Sequence, residues 1–89
     1  MSDRAKRISR HLARSIARNI THFRRQQKMS QAELAYEADV SISTLGRLES
    51  GQADPRMSTL ESVAASLRVP LSELVSRDWM AGKTADGAE

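Results

Sequence analysis

The sequence predicts an all-α domain of five helices, the first of them an extended basic N-terminal helix. Three observations predict this class. Apolar residues recur at intervals of three and four, serines stand where helices would begin, and no stretch alternates as a strand does. The chain of 89 residues is expected to form one domain with flanking segments, because a chain of this size buries only about 60% of its unfolded surface.

The first helix is predicted from an apolar stripe that gives it a length of up to about 25 residues. The stripe consists of Ala5, Ile8, Leu12, Ile16, Ile20 and Phe23. A second row lies half a turn away, and we call it the arginine ridge: Arg7, Arg10, Arg14, Arg18 and Arg25. One helix therefore carries an apolar face for the core and a charged face for solvent or for a partner.

Two small helices that share a three-residue corner are predicted in the stretch "QAELAYEADVSISTLGRLESG". Ser30 and Glu33 have the spacing of a capping box, which starts the second helix near Gln31. Ser41 can cap the third helix in the same way, and Gly51 supplies its C-terminal stop.

The corner between these helices restricts which residues can occupy it. Ala35 lies where the two helices come closest, so a bulky residue there would push them apart. Asp39 falls where the turn needs a positive φ, which glycine adopts best and Asp or Asn adopts at modest cost. Val40 fills the inside of the corner. Two helices that meet at about 90–120° across such a turn form a helix-turn-helix unit.

Two further helices are expected after the loop "GQADPRMS". Ser58 is expected to cap the fourth helix, with Glu61 as its matching acid. The buried face of that helix is predicted to be Leu60, Val63, Ala64 and Leu67. Pro70 breaks the chain again, and a short fifth helix opens at Leu71. Residues 81–89 are small and polar, and disorder is expected there.

The stretches "SQAELAYEADVSISTLGRLESGQADP" and "STLESVAASLRVPLSELV" closely resemble the lambda-repressor-like, Cro/C1-type helix-turn-helix family, also called the XRE family. The positions that match in register are Gln31, Ala35, Val40, Leu45, Leu48, Glu49, Gly51 and Pro55. Asp39 departs from the usual glycine at the corner. The resemblance divides the chain into a basic N-terminal extension of the first helix (1–15), a DNA-binding domain (16–80) and a disordered tail (81–89).

The resemblance implies that the third helix enters the major groove of duplex DNA. With Leu45 and Leu48 facing inward, the base-reading candidates face outward: Ser41, Ile42, Ser43 and Arg47. Arg47 can donate two hydrogen bonds to guanine, and Ile42 can contact a thymine methyl group. A surface arginine near a phosphate is the alternative for Arg47. Gly46 either lets the helix approach the sugar-phosphate wall or is a neutral exposed position.

Phosphate-binding candidates lie at the ends of the predicted helices. They are Gln31, Thr44, Ser50, Gln52 and Arg56. Gln31 stands at the start of the second helix, where free N–H groups and the helix dipole attract an anion. The resemblance implies that Gln31 clamps a backbone phosphate. An ordinary role in loop solubility is the alternative for Gln52 and Arg56.

The resemblance also places Arg24 and Glu49 together as a partly buried ion pair, which ties the first helix to the end of the third. Such a pair orients the reading helix more than it stabilises the fold, because desolvation offsets much of the Coulomb gain. Phosphate binding by Arg24 is the alternative.

The apolar stripe begins well before the usual first helix of such a domain, so its protruding part needs a cover. It packs either on the C-terminal part of its own chain or on a second subunit. The expected homodimer interface consists of Ile8, Leu12, Leu74, Val75 and Trp79. Trp79 is the only Trp of the chain and would make a natural anchor. Capping the core of its own chain is the alternative for Trp79.

The charge of the chain is unevenly distributed. Residues 1–28 contain nine basic residues and one acidic residue, whereas residues 29–89 contain five basic and ten acidic residues. The two parts carry +8 and −5, which together give the net charge of +3. This asymmetry indicates a polyanionic partner or a solvated helix face. The arginine ridge correspondingly runs along a DNA backbone or keeps the helix in solution.

Other function classes have little support in the sequence. The absence of cysteine excludes disulfides and thiolate metal sites. His11 and His22 are too far apart along one helix for a shared metal or a catalytic pair, so no metal, cofactor or enzymatic activity is expected. No apolar run is long enough to span a membrane. Binding of the basic helix to a membrane surface is disfavoured, because its apolar face is needed for the core.

The leading hypothesis is a homodimeric, sequence-specific transcription regulator, in particular a repressor, that binds double-stranded DNA at a short pseudo-palindromic operator. The alternative is an antitoxin-type protein that binds a protein partner and regulates its own operon. In either case the resemblance implies a cytoplasmic protein of bacterial or phage origin that is associated with the nucleoid when bound.

Overall fold

A computed structural model of the chain describes residues 8–77, which form five helices and no strand. The helices are α1 (Arg10–Gln26), α2 (Gln31–Ala38), α3 (Ile42–Glu49), α4 (Met57–Leu67) and α5 (Leu71–Leu74). The prediction of an all-α, five-helix domain is confirmed. α1 packs on α3, α4 and α5, and α2 packs on α3 and α4.

α1 begins later than the apolar stripe predicts. Ser9 is its N-cap, and the Ser9 hydroxyl accepts a hydrogen bond from the N–H group of Leu12 at 3.0 Å. Ile8 and Ser9 precede the helix, so the expectation of a helical Ile8 is wrong. A serine side chain competes with the backbone for the first helical N–H groups and favours a helix start. Ala5 and Arg7 lie outside the described residues.

α4 begins one residue before its expected cap. Arg56 is the N-cap residue, with no side-chain hydrogen bond, and its carbonyl accepts from the N–H group of Leu60 at 3.1 Å. Ser58 therefore lies within the first turn, and its predicted role as the cap, with Glu61 as partner, is wrong. The extended backbone of Arg56 directly after Pro55 already ends the loop.

Three helices end on a residue other than glycine with a positive φ. These residues are Lys28, Asp39 and Arg68, with φ values of 59°, 59° and 61°. In each case the next residue donates its N–H group back to a carbonyl five positions earlier, at 3.0–3.1 Å, which is the Schellman type of helix end. The prediction for Asp39 is confirmed.

These helix ends aim apolar side chains inward. The residue after each one is apolar and packs against the core: Met29, Val40 and Val69. At the corner between α2 and α3, Ala35 is 1% exposed, in agreement with the close approach expected of the two helices. The centre of the core consists of Ile16, Ile20, Phe23, Leu34, Leu45, Leu48, Leu60, Val63, Leu67 and Leu74.

A buried asparagine holds the last helix in place. The side-chain amide of Asn19, in the middle of α1, donates to the carbonyl oxygens of Glu73, Leu74 and Ser76 at 3.2, 2.8 and 2.8 Å. We call this set of bonds the Asn19 clamp. α5 has only four residues, too few for a stable helix by itself, so the clamp and the burial of Leu74 fix its position.

Two negative findings apply to the part of the chain that the structure describes. Between residues 8 and 77, no helix combines the length and the apolar character needed to cross a bilayer. The same residues contain no group of three or more His, Asp or Glu side chains arranged to hold a metal ion.

We expect Asp39→Gly to raise the free energy of unfolding by about 0.5–1 kcal/mol, because glycine adopts the left-handed conformation without a steric cost. Urea unfolding measures the change. The control is Glu37→Gly, two residues earlier within α2, which should lower the free energy of unfolding by about 1 kcal/mol. Equal losses from both substitutions would contradict the strain assigned to Asp39.

Candidate nucleic-acid interface

α3 presents a narrow outward face. Leu45 and Leu48 are buried, whereas Ser43 and Arg47 are exposed on the opposite side. Gly46 lies on this side as well, and a Cβ added to it would have no heavy atom within 4 Å. The isolated protein therefore offers no packing reason for glycine at this position. The outward face is slim enough to enter a groove, with one long cationic side chain at its C-terminal half.

The start of α3 uses two of the candidate residues for its own cap. The Ser41 hydroxyl accepts from the N–H group of Thr44 at 2.9 Å and donates to the Thr44 hydroxyl at 2.8 Å. The Ser41 hydroxyl can therefore accept a further hydrogen bond but cannot donate one, so in its predicted base-reading role it could bond only to donor groups of the bases. Ile42 is 56% exposed beside it, an unusual exposure for a large apolar side chain. Its expected contact with a thymine methyl group stays a prediction.

The fold brings Arg47 together with two phosphate-binding candidates. Thr44, Arg47 and Arg56 line one cleft of about 240 Å³ between α3 and the start of α4. Two guanidinium groups that are 9 residues apart in sequence thus share one concave surface with two threonine hydroxyl groups and with the single carboxylate of Asp54, which they outnumber. This arrangement suits a phosphate beside the groove that α3 would enter.

The two phosphate-binding candidates directly after α3, Ser50 and Gln52, differ in how free their side chains are. The Ser50 hydroxyl donates to the carbonyl oxygen of Arg47 at 3.0 Å, so in this state its hydrogen is not available for a phosphate. Gln52 is exposed, and its backbone N–H group also bonds to the Arg47 carbonyl, at 3.0 Å. Gln52 therefore keeps an unobstructed side chain, whereas Ser50 must first rotate its hydroxyl.

The N-terminus of α2 carries the capping box expected from the sequence. The Ser30 hydroxyl accepts from the N–H group of Glu33 at 3.0 Å, and the Glu33 carboxylate accepts from the N–H group of Ser30 at 2.7 Å. Gln31 begins the helix, and its side-chain amide donates to Glu49 at 3.1 Å. That amide has two hydrogens, so one of them remains for a phosphate while the other holds the side chain in place.

The carboxylate of Glu49 joins three helices. Arg24 of α1 donates to it twice, from Nε at 2.7 Å and from Nη2 at 3.0 Å, and Gln31 of α2 adds a third bond. The remaining nitrogen of Arg24, Nη1, donates to the carbonyl oxygen of Met29 at 2.8 Å. The side chains of Arg24 and Glu49 are only 12% and 6% exposed. Because Arg24 makes three hydrogen bonds inside the protein, these contacts favour its predicted pairing with Glu49 over the alternative of phosphate binding.

These contacts set the protonation of Glu49. Burial raises the pKa of the Glu49 carboxyl, but hydrogen bonds from Arg24 and Gln31, the charge of Arg24 and the nearby Thr21 hydroxyl lower it by more. The net result is a pKa below the ordinary value. Glu49 is therefore ionised at neutral pH, and its negative charge lies inside an otherwise basic surface.

The expected dimer interface needs a correction. Leu74 is fully buried in the core of its own chain, so it has no surface to offer a second subunit and the prediction is wrong for this residue. Its position is set by the Asn19 clamp and by packing of α5 on α4. Ile8, Leu12 and Val75 are partly buried and pack at the edge of the core. Trp79 lies outside the described residues.

The sequence did not single out several residues whose burial or contacts in the structure are notable. Tyr36 on α2 is 87% exposed and Met57 at the start of α4 is 60% exposed, an uncommon state for large side chains of this kind. Both lie outside the helix faces that the sequence predicts to be buried, so their positions could have identified them as exposed. Nothing local marks Asn19 or Arg77, because their importance comes from residues that are distant in sequence.

The sequence and fold are similar to those of known proteins. A family model described as "Helix-turn-helix" matches residues 20–74. Two relatives are each 33% identical over 66 residues, or 74% of this chain: the immunity repressor protein of Bacillus phage phi105 and the HTH-type transcriptional regulator SutR of Escherichia coli (strain K12). The match covers 46% and 37% of their lengths, so the chain spans less than half of these relatives. Their names are those of regulators and not of enzymes, as the sequence predicts.

Three solved structures share the architecture. The hypothetical transcription factor NHTF from Neisseria has a TM-score of 0.75 and 26% identity, and the match covers 82% of this chain and 84% of that one. A transcriptional regulator from Vibrio cholerae has a TM-score of 0.69 and 25% identity, with 74% and 38% covered. The restriction-modification controller protein C.AhdI from Aeromonas hydrophila has a TM-score of 0.68, with 70% and 94% covered, and at 22% identity it supports the fold alone.

We expect Glu49→Gln to lower the free energy of unfolding by about 2 kcal/mol at pH 7, because Arg24 loses its charged partner. The lowered pKa of Glu49 stabilises the folded state above the unfolded-state value of 4.5, and this contribution is lost as pH falls through the folded-state value. The difference between the native chain and the variant should therefore shrink below about pH 4.5.

Urea unfolding at a series of pH values from 7 to 3 measures this difference. The matched control is Glu61→Gln, on the exposed side of α4, which should change the free energy of unfolding by no more than about 0.5 kcal/mol. A gap between the native chain and Glu49→Gln that stayed constant down to pH 3 would contradict the assigned role.

Proposed function

Since the chain belongs to the helix-turn-helix family whose model matches residues 20–74, we propose that it is a sequence-specific regulator of transcription that binds double-stranded DNA. This membership confirms the Cro/C1-type resemblance found in the sequence. The protein would act in the cytoplasm, as a homodimer, on a short pseudo-palindromic operator. Repression is the favoured direction, because one relative is named as an immunity repressor.

The observation that carries the proposal is the outward face of α3. Ser43 and Arg47 are exposed, Gly46 adds no side chain between them, and the buried Leu45 and Leu48 hold the helix from behind. An α-helix fits the major groove of B-DNA, where each base pair presents its own pattern of donors and acceptors. Arg47 is the side chain of this face that can read guanine through two hydrogen bonds.

The contacts around the face support the assignment of phosphate-binding roles. Gln31 is held by Glu49 with one amide hydrogen unused, and Arg56 shares a cleft with Arg47 and Thr44. These groups flank α3 on both sides. Phosphates on either side of a groove would then fix the depth and the register of α3, while its outward side chains read bases.

A homodimer follows from the geometry of such readers, because two α3 helices placed one helical turn apart read two half-sites of a pseudo-palindrome. On this chain the remaining candidates for the interface are Ile8, Leu12, Val75 and Trp79. The first three are apolar and only partly covered by the core. None of these residues belongs to α3, so a contact through them would leave its outward face open for DNA.

Selection of bound sites from a random duplex pool tests the proposal. We expect one enriched sequence with two-fold pseudo-symmetry and half-sites centred about 10 base pairs apart. Enrichment of no sequence, with equal retention of all duplexes, would overturn sequence-specific binding. The selected sequence also supplies the duplex on which the variants below are compared.

We expect Arg47→Ala to relax the preference at one position of each half-site, because the variant loses a bidentate contact to guanine worth about 1–3 kcal/mol. Gln31→Ala should instead weaken matched and mismatched duplexes by the same factor, because a phosphate carries no sequence information. Fluorescence anisotropy with duplexes changed at single positions measures both effects.

The control for these variants is Glu37→Ala, exposed on α2 and outside the proposed contacts, which should leave base preference unchanged. Unfolding curves must accompany the Gln31 variant, since this side chain also bonds to Glu49. Equal losses on matched and mismatched duplexes for Arg47→Ala would remove it from the base-reading set.

We expect the chain to sediment as a dimer at micromolar concentration, and Leu12→Glu to shift it to the monomer by placing a charge in an apolar contact. Ser72→Glu, an exposed position on α5, is the matched control and should leave the dimer intact. Analytical ultracentrifugation with and without the selected duplex measures the state. A native chain that stays monomeric in both conditions would refute the homodimer, and a second protein that co-purifies with it would favour the antitoxin alternative.

A further inference from the structure

We propose that a cleft between α1 and the segment after α5 binds phosphate groups of duplex DNA that flank the site read by α3. The cleft has a volume of about 280 Å³ and is lined by His11, Arg14, Ser15, Arg18 and Arg77. The inference rests on the proposed function, because it assigns a second contact to the same DNA. It gives Arg14 and Arg18 of the arginine ridge, together with Arg77, a contact that the proposed function does not use.

The composition of the cleft indicates an anionic ligand. Three guanidinium groups and one imidazole surround it, a hydroxyl group lies at its base, and no carboxylate is among the lining residues. Guanidinium groups offer planar pairs of donors that match the oxygens of a phosphate. The cleft thus combines positive charge and hydrogen-bond donors, and none of its lining residues carries a negative charge that would repel a phosphate.

These charges are not compensated within the part of the chain that the structure describes. Within residues 8–77, the ion pair shown joins Arg24 to Glu49, and none of the arginines of the cleft takes part in one. α1 contains no acidic residue, and the sequence has none between Asp3 and Glu33. Like charges held close together repel, so a bound polyanion would relieve a cost that the free protein carries.

The fold assembles the cleft from two distant segments. Arg14 and Arg18 are one helical turn apart on α1, whereas Arg77 follows α5. The Asn19 clamp bonds to the carbonyl oxygen of Ser76, directly before Arg77, at 2.8 Å. A buried amide therefore fixes the backbone next to the third arginine. This is the arrangement of a positioned site and not of three independent solvated side chains.

The cleft also lies on a longer basic surface that reaches α3. An added Cβ at Gly51, just after α3, would lie 3.8 Å from Cγ of Arg14. Farther along α1, Arg18 and Arg25 line a second, larger cleft together with Glu49, the last residue of α3. The described part of the arginine ridge thus passes the C-terminal end of the reading helix.

The length of this surface favours a polymer over a free anion. Arg14 and Arg25 are 11 residues apart, which corresponds to about 16 Å along a helix with a rise of 1.5 Å per residue. A single phosphate ion occupies only a fraction of this distance, whereas a DNA strand presents a phosphate about every 3.4 Å along its axis. A duplex seated on α3 can therefore continue along α1 and place successive phosphates on the ridge and in the cleft.

The test measures the salt dependence of binding to two duplexes. One ends at the selected site, and the other extends it by about one helical turn, or ten base pairs, on each side. Each lost phosphate contact should reduce the slope of log K against log [salt] by about 0.9. Because a dimer carries two clefts, each substitution removes two contacts, so on the extended duplex Arg18→Gln and Arg77→Gln should each reduce the slope by about 1.8. The variant Arg14→Gln/Arg18→Gln/Arg77→Gln should reduce it by about three times as much.

Three comparisons make the result specific. On the short duplex the cleft variants should bind with the slope of the native chain, and their base preference should be unchanged on both. Arg68→Gln removes the same charge from an exposed position at the end of α4 and should leave the slope unchanged. Arg18→Lys keeps the charge and should keep most of the slope. Thermal unfolding of each variant checks that the fold is intact.

Failure of this inference is distinguishable from failure of the proposed function. If the native chain selects a site but the cleft variants keep its slope on the extended duplex, the cleft assignment alone is overturned. If inorganic phosphate shifts the NMR signals of the cleft while the slopes stay equal, the ligand is a free anion and the DNA assignment is again overturned. If the native chain binds no duplex, both proposals fail.

Discussion

The carboxylate of Glu49 accepts hydrogen bonds from two other helices, and the position of α3 depends on it. Arg24 approaches from α1 through two nitrogens and Gln31 approaches from the first residue of α2. Because the carboxylate belongs to the last residue of α3, these bonds fix the C-terminal end of the helix, next to the buried Leu48. The front of α3 is fixed differently, by its own cap and by the corner after α2. Because both ends of α3 are fixed in this way, its outward face keeps its position without large side chains that pack on it.

The same contacts explain how a small domain keeps a charged surface rigid. Buried ion pairs add little net stability, because desolvation of both partners offsets their attraction. Their value here is geometric, since a bidentate pair with a third donor tolerates only one arrangement of the three helices. The helix ends act in the same sense. Each Schellman turn uses backbone bonds to set the direction of the next helix, and an apolar residue that follows it holds the turn against the core.

Local chemistry made part of this architecture predictable from the sequence. The capping box at Ser30, the left-handed Asp39 and the small Ala35 each follow from demands that neighbouring residues impose, and the structure has all three. Prediction of the start of α4 at Ser58 was wrong because a cap preference is weak when the preceding backbone is already extended. Such errors of one or two residues do not change which faces are buried.

Other features depend on contacts that no local pattern contains. Asn19 bonds to carbonyl groups 54 to 57 positions later in the chain, and its side chain looks like an ordinary polar residue of a helix. Leu74 was assigned to an interface because its burial depends on that same distant contact. In the sequence Arg77 is only one more basic residue, and it is the fold that places it beside α1. The candidate site on α3 could be derived from the sequence, whereas the arginine-lined cleft could not.

The Asn19 clamp also determines how short a fragment of the chain can be at its C-terminal end without a loss of stability. The family match ends at residue 74, and a fragment trimmed to that boundary would lose the Ser76 carbonyl that the buried amide bonds. The Asn19 amide would then have one acceptor fewer, and α5, which is too short to be stable by itself, would be held less firmly. Fragments for crystallography or for fusion to a reporter should therefore extend past Ser76, and shorter ones should melt at lower temperature even though they retain every residue of α1 to α5.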